Sequence, residues 1–285
     1  MTIVITGATG HLGRLIVEAL LREGTPASEI VATGRDVEQL SELQARGVRV
    51  ARADYSDPES LRTAFAGADT LMLVSGTEFG RRAEQHAAAI DAARAAGIQR
   101  IVYTSAPGAT TSALVLAPEH KATEEYLAAS GIPFTILRNN WYTENYVQTA
   151  RQAAESGVIV ASVGDGRVAS ASRRDYADAA AAVLTGTGHD GRTYELSGDV
   201  AWDYTQLAAT LTELLGRPVA YTPVSSEEHL EILRQAGLDE GTAGFVVALD
   251  ANTRDGLLAS TSGELRELIG RPTTPLKEGL AAALA

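Results

Sequence analysis

The sequence predicts a doubly wound α/β domain with a parallel sheet, followed by a smaller, mostly helical lobe. Three observations carry that reading. The first half alternates short apolar runs with helix-like stretches, and the runs are continuous, as strands covered on both faces require. The opening run meets three glycines in "GATGHLG", at the handover from strand to helix. After Arg138 the rhythm loosens into "NNWYTENYVQTARQAAESG", where amides and aromatics gather.

In chain order, strands are expected at Ile3–Thr6, Ile30–Thr33, Val48–Ala51, Thr70–Ser75, Arg100–Thr104 and Phe134–Leu137. Helices fill the intervals at about Leu12–Arg22, Val37–Arg46, Pro58–Phe65, Arg82–Ala96 and Glu119–Ala129. Glycines stand where several of these helices should stop, Gly97 among them, because glycine takes the left-handed cap conformation freely. Beyond a glycine-rich turn at Gly164-Asp165-Gly166, a helix is expected at about Asp175–Leu184 and a strand at Thr193–Leu196. A helix at Thr205–Leu215, a short strand at Val219–Thr222 and helical stretches complete the chain. The first domain is expected to span residues 1–138 and the lobe 139–285, with Thr193–Leu196 left open between the lobe and the main sheet. No linker, low-complexity tract or internal repeat interrupts this plan.

Composition narrows the function. Hydrophobic residues make up 45% and charged residues 21% of the 285, enough to bury a sizeable core. The net charge of -12 repels a phosphodiester backbone, so nucleic acid is not an expected partner. The chain has no cysteine, which excludes disulfides, thiolate metal sites and a cysteine nucleophile, and fits a reducing compartment. The first apolar run lacks a basic flank and is cut by Gly7, unlike a signal peptide, and no apolar span is long enough to cross a bilayer. A soluble, cytoplasmic protein acting on a small molecule is expected, as a monomer or homodimer and with no membrane partner.

The glycines set the chemistry. In "GATGHLG" the spacing is G-x-x-G-x-x-G, after a strand and opening a helix. Gly7 permits the turn, Gly10 lets a pyrophosphate approach the backbone, and Gly13 lets helix pack on strand. The phosphate then meets unpaired N–H groups at the positive end of the helix. A nucleoside-triphosphate loop would need Gly-Lys-Ser/Thr, which is missing here. The alternative is a glycine-rich connection with no ligand, but strand, spacing and helix together favour a dinucleotide. At the end of the second strand, in "VATGRD", Arg35 lies 22 residues past Gly13 and can grip a 2′-phosphate, which favours NADPH, or stand as a solvated charge at a strand end. Asp36 beside it is suited to the opposite role, the ribose hydroxyl of NADH. Asp54, after the third strand, can accept from an adenine amino group or cap the next helix with Asp57.

With these residues in view, "ITGATGHLG", "ADYSDPESL", "IVYTSA", "EHKATEEYL", "ILRNNWYTENY" and "LIGRP" resemble the NmrA-like branch of the atypical short-chain dehydrogenase/reductases. Within it the pattern is similar to bacterial NADPH-dependent quinone oxidoreductases and triphenylmethane dye reductases. The resemblance runs over almost the whole chain, and "LRNNWYTENY" with "SASRRDYADAAAAVL" is its most specific part. It implies a Rossmann domain, a small C-terminal lobe, a nicotinamide held between them, and quinone reduction by NADPH without flavin. It also implies cofactor contacts at Gly7, Ala8, Thr9, Gly10, His11, Leu12 and Gly13, with Arg35 at the 2′-phosphate. Ser75, Gly76 and Thr77 fall beside the adenosine and ribose. Asn139, Asn140, Trp141, Tyr142 and Thr143 fall at the nicotinamide end.

One departure matters. Short-chain dehydrogenases commonly use Tyr-x-x-x-Lys, and no tyrosine here is followed four residues later by lysine; Tyr103 is followed by Pro107 and Tyr126 by Ser130. Where many relatives carry lysine, His120 stands. Without a strong built-in acid, an easily reduced acceptor that takes hydride first fits better than a ketone, and quinones are such acceptors.

His120, Tyr142 and Asn140 are therefore the candidates at the reacting end. His120 can donate to a developing quinolate near neutral pH, or stand exposed in a first helical turn. Asn139 and Asn140 can hold a carboxamide, and Trp141, Tyr142 and Phe79 can wall a flat acceptor. With only 5% of the chain aromatic, that cluster stands out, although Trp141 and Tyr146 also suit a core joining two lobes. Asp175 reads as a helix-start acid, and His86, His189 and His229 lack ligand spacing, so no metal site is expected. Two functions fit: an NADPH-dependent quinone reductase, or an NADP(H)-binding redox sensor without turnover, which would not require the aromatic pocket. A sugar-nucleotide isomerase suffers from the missing tyrosine–lysine pair.

Overall fold

The computed structural model describes residues 1–285. The chain runs β1 (Ile3–Ile5), α1 (His11–Arg22), β2 (Ile30–Gly34), a 3-10 turn leading into α2 (Ser41–Ala45), and β3 (Arg49–Arg52). It continues α3 (Pro58–Phe65), β4 (Thr70–Leu73), α4 (Arg82–Ala96), β5 (Arg100–Ser105), α5 (Ala117–Ala129) and β6 (Phe134–Asn139). Next come α6 (Val147–Ser156), β7 (Val158–Ala161), β8 (Arg167–Val168), α7 (Arg173–Thr185) and β9 (Thr193–Leu196). The remainder is β10 (Trp202–Asp203), α8 (Tyr204–Leu215), β11 (Ala220–Pro223), α9 (Ser226–Gln235), α10 (Glu240–Arg254), α11 (Glu264–Ile269) and α12 (Leu276–Leu284).

Seven strands form one parallel sheet in the order β3-β2-β1-β4-β5-β6-β9. Alternate side chains of β1 feed different cores, which is why its apolar run is unbroken: Ile3 and Ile5 pack with Ile16, Leu20 and Ala177, while Val4 packs with Phe65, Ile90 and Leu127. Thus α1 and α7 cover one face, and α3, α4 and α5 the other. The order reverses between β1 and β4, so a crevice opens beyond their carboxyl ends, where open α/β sheets bind ligands.

Thr193–Leu196 does return to the main sheet, pairing parallel with β6. The lobe has its own core around Tyr146, Trp202, Tyr204 and Leu211, with two small sheets, β11–β7 and β10–β8. Helix α6 and strand β7 fill the stretch whose sequence rhythm loosens. The inward positions of α6 are Ala150 and Ala153, small residues in a polar stretch, so the helix is amphipathic but only weakly apolar. Asp175, fully buried, accepts from the Ser172 hydroxyl (2.8 Å), the Thr274 N–H (2.9 Å) and the Thr274 hydroxyl (3.0 Å), and pairs with Arg271 at 2.7 Å. It ties α7 to the C-terminal segment, the structural role its position suggested. No helix is long and apolar enough to cross a membrane.

Candidate active site

A cleft of about 520 Å³ lies beyond the strand ends at the crevice and reaches the lobe. At one end the loop after β1 turns through Gly7 at φ 63° and enters α1 from Gly10. The N–H groups of Thr9, His11, Leu12 and Gly13 have no partner in the protein, so a cradle of donors faces the cleft at the positive end of a helix. Gly7, Thr9, Gly10, His11, Leu12 and Gly13 all line it.

Ala8 does not. It is fully buried and its N–H donates to the Thr33 carbonyl at 2.8 Å, extending the sheet, so it is not one of the free donors. Thr143 is also off the wall: its N–H donates to Ala171 O at 2.9 Å, and its hydroxyl lies 2.9 Å from that of Ser170.

Arg35, at the end of β2, lines the cleft and is exposed. Its Nη1 donates to Glu78 Oε1 at 3.0 Å. Asp36, the acid next to it in sequence, is turned away: it accepts from the Glu38 N–H (3.2 Å) and Gln39 Nε2 (2.9 Å), capping the following turn. The acid at Arg35 therefore comes from the loop after β4, which the sequence reading did not find. Asp54 lines the cleft and accepts the Ser56 N–H at 2.9 Å, whereas the cap of α3 is made by Asp57, which accepts the Ser60 N–H at 3.2 Å.

Ser75, Gly76 and Thr77 also line the cleft, and the peptide units of Gly76 are clamped from both sides. Gly76 donates its N–H to His86 Nε2 at 2.9 Å, and Arg82 Nε donates to its carbonyl at 2.8 Å. Arg82 is itself buried and paired with Glu119 at 3.0 Å. These second supports, His86, Arg82 and Glu119, were not among the residues the sequence singled out for the site.

The hydrogen-bond chain around His86 has a fixed direction. Since Nε2 accepts from Gly76, the ring proton sits on Nδ1 and donates to Thr123 Oγ1 (3.0 Å), whose own hydroxyl donates to Glu119 O (2.9 Å). The Tyr103 hydroxyl lies 2.7 Å from His120 Nδ1. Burial holds the Tyr103 phenol well above its ordinary value, so it keeps its proton. With that proton donated to Nδ1, His120 carries its own hydrogen on Nε2, which has no partner in the protein, on a residue that lines the cleft.

His120 is not an exposed residue of a first turn; it is 6% exposed. Burial and then the Arg82 guanidinium lower its pKa to about 3, and the same two causes lower His86 to about 3. Burial thus favours the neutral ring, so donation would come from an imidazole N–H rather than from an imidazolium.

The two histidines make stability acid-sensitive. Both are neutral in either state above their ordinary value of about 6.5, so the native state is unpenalised there. As pH falls from 6.5 toward 3 the unfolded chain takes up protons that the native protein refuses, and stability drops by about 1.4 kcal/mol per pH unit for each. Thermal melts from pH 7.5 to 4.5 should show that decline, with a shallower slope for His120→Gln; equal slopes would contradict the assignment.

At the far end stand Asn139, Asn140, Trp141 and Tyr142. Asn139 Nδ2 donates to the Tyr142 hydroxyl (3.4 Å) and Asn140 Nδ2 to Leu258 O (3.1 Å), yet both Oδ1 atoms are buried with no donor. An orphaned buried acceptor costs about 1–3 kcal/mol, and a carboxamide donor bound here would relieve it. Arg173 lies 4.8 Å over the Tyr142 ring and Tyr176 meets that ring edge-on at 5.3 Å, fixing its plane. Phe79 leans on Phe245 of α10 at 4.9 Å, bridging sheet domain and lobe, with Arg82 4.9 Å over its face. Trp141 lines the cleft and packs on the lobe core, whereas Tyr146 does not reach the cleft and packs in that core, edge-on to Trp202 at 4.8 Å. Donor cradle, cation and orphaned acceptors together suit an extended molecule with phosphates at one end and a carboxamide at the other.

Comparison with known proteins agrees. Residues 7–187 match the model of an NAD(P)H-binding family. The chain is 47% identical over 279 residues to quinone oxidoreductase 2 of Escherichia coli strain K12, covering 98% of this chain and 97% of that protein. Its fold is similar to the crystal structure of the NADPH-dependent quinone oxidoreductase of Escherichia coli complexed with NADPH, at a TM-score of 0.95 and 46% identity over 100% of both chains. It is also similar to the triphenylmethane reductase of a Citrobacter species, at a TM-score of 0.94 and 41% identity over 100% of this chain and 99% of that one.

Proposed function

The chain belongs to the NAD(P)H-binding, NmrA-like branch of the atypical short-chain reductases, and from that premise we propose that it reduces quinones with NADPH and without flavin. The observation that carries the reading is the reacting end of the cleft. It joins an aromatic wall to a hydrogen-bond donor, His120, that stays neutral and offers no acid titrating near neutrality. Such a site suits an acceptor that takes hydride before it takes a proton.

NADPH supplies the hydride when bound; the chain's residues position and shield. The free N–H groups of Thr9, His11, Leu12 and Gly13 bind the pyrophosphate, and Gly7 and Gly10 let it approach. Ala8 and Thr143 act from behind, by holding the loop and the far wall in place. Arg35 takes the 2′-phosphate, Asp54 the adenine edge, and Ser75, Gly76 and Thr77 the adenosine ribose. Asn139 and Asn140 orient the carboxamide. Trp141, Tyr142 and Phe79 stack the flat acceptor and exclude water. The His120 Nε2–H donates to the acceptor oxygen on which negative charge grows, and the proton arrives from solvent afterwards. Triphenylmethane dyes and other electron-poor molecules fall within reach of the same site. A cytoplasmic place, with the chain working as a monomer or homodimer, completes the proposal.

The test is NADPH oxidation by the purified protein with simple quinones and no added flavin, NADH run in parallel. Rapid turnover with NADPH is expected. Tight NADPH binding with no turnover on any quinone would sink the reductase and leave a redox sensor.

A further inference from the structure

A second cavity of about 310 Å³ lies inside the lobe, between α6 and β7 on one side and α9 and α10 on the other. It shares Trp141 and Asn145 with the cleft, so the two spaces abut at the reacting end. Its lining is mostly apolar, with Tyr146, Ile159, Leu233 and Val246 prominent, and its size is at the lower end of small-molecule sites.

One polar feature breaks that lining. His229, 5% exposed, sits with its Nδ1 2.9 Å from Asp250 Oδ2. The same carboxylate accepts the Ser162 N–H (2.6 Å) and hydroxyl (3.0 Å), so it is an acceptor throughout and the Nδ1 carries a proton. His229 Nε2 has no partner in the protein, and the residue lines the cavity. As a neutral ring Nε2 accepts a hydrogen bond, and as a cation it donates one. A hydroxyl group answers both states, being donor and acceptor at once.

We propose that this cavity is the subsite for a side arm of the acceptor: an alkyl or aryl arm bearing a hydroxyl group, which runs past Trp141 while the quinone ring stays in the cleft. The inference rests on the quinone-reductase reading and narrows it to quinones with an extended substituent. The apolar lining takes the body of the arm, and His229, oriented by Asp250, takes its hydroxyl. A dry, unsubstituted benzoquinone would use the cleft alone.

The experiment compares three acceptors, unsubstituted benzoquinone, a decyl-substituted benzoquinone and its terminally hydroxylated analogue, on three proteins: wild type, Val246→Trp and His229→Leu. Val246 is only partly buried, so its replacement by Trp fills the cavity without disturbing a core position. Val246→Trp is expected to raise KM for both long quinones about tenfold or more and to leave benzoquinone within about twofold. His229→Leu is expected to erase a preference of the wild type for the hydroxylated arm, while the plain decyl quinone is unaffected. The proposal is overturned if Val246→Trp shifts all three acceptors alike or none, or if the wild type does not distinguish the two long quinones. Failure of the reductase reading shows separately, as absence of turnover with benzoquinone. In that case calorimetric binding of the two long quinones to wild type and Val246→Trp decides the cavity: weakened binding to the variant supports it, and equal binding overturns it.

Discussion

Gly10→Val is expected to abolish dinucleotide binding, lowering affinity at least about a hundredfold, while the protein still folds. The reason lies in what surrounds each glycine. Gly10 has an extended backbone, φ -89° and ψ 169°, that any residue adopts. A Cβ there would lie 3.2 Å from the Gly7 carbonyl oxygen, a contact relieved by a shift of a few tenths of an ångström. Nothing in the protein demands glycine at this point; the cleft does, because a branched side chain stands where a phosphate must touch the donor cradle. Gly13 is the opposite case. A Cβ there would lie 2.6 Å from the Gly7 carbonyl carbon and 2.9 Å from the Ala8 nitrogen, both backbone atoms between β1 and α1. Gly13→Val is therefore expected to lose the fold itself. Circular-dichroism melts and NADPH titration of the two variants separate the roles. Retained affinity in Gly10→Val, or a melting temperature that collapses with it, would contradict this division.

How much of this was legible in the sequence follows the range of the interactions. Strand–helix alternation and the glycine spacing are local; they predict the sheet that forms, and the glycine loop and Arg35 they single out line one cleft. The helix α6 was not legible although its pattern is amphipathic, because its buried positions Ala150 and Ala153 are alanines in a polar stretch that has no large apolar residue after Val147. Ala8 sits inside the motif, but its N–H is taken by Thr33 on the next strand, a partner no spacing rule identifies. His120 suited a donor and an exposed first-turn residue equally well, because Lys121 beside it is charged. What buries and discharges it is long-range: Tyr103 from β5 and Arg82 from α4. The acid facing Arg35 has the same character. Sequence adjacency offered Asp36, whose carboxylate is spent on a cap, whereas space supplies Glu78 from the loop after β4.

That last arrangement sets the second large effect. Arg35→Ala is expected to weaken NADPH binding about a hundredfold and to change NADH binding by less than about threefold, since only the 2′-phosphate loses a charge-assisted fork. Glu78→Gln is expected to act in the opposite direction. Glu78 Oε1 accepts from Arg35 at 3.0 Å, while Gln85 Nε2 at 2.9 Å and Arg81 Nη1 at 3.3 Å hold the other oxygen, so one edge of the carboxylate is steered toward Arg35. A 2′-phosphate must displace that carboxylate or share the guanidinium with it, and two anions on one cation repel. The ribose hydroxyl of NADH, by contrast, can donate to Glu78 and leave the pair intact. Neutralising Glu78 should thus tighten NADPH several-fold, by about 1 kcal/mol at this exposed site, and leave NADH unchanged or slightly weaker. Dissociation constants for both cofactors, measured on wild type, the two single variants and the double variant, close a cycle. If Glu78 works through Arg35, the gain from Glu78→Gln vanishes once Arg35 is alanine. A gain that persists in the double variant would mean that Glu78 repels the phosphate directly, and equal losses of NADPH and NADH in Arg35→Ala would remove the arginine from cofactor selection altogether.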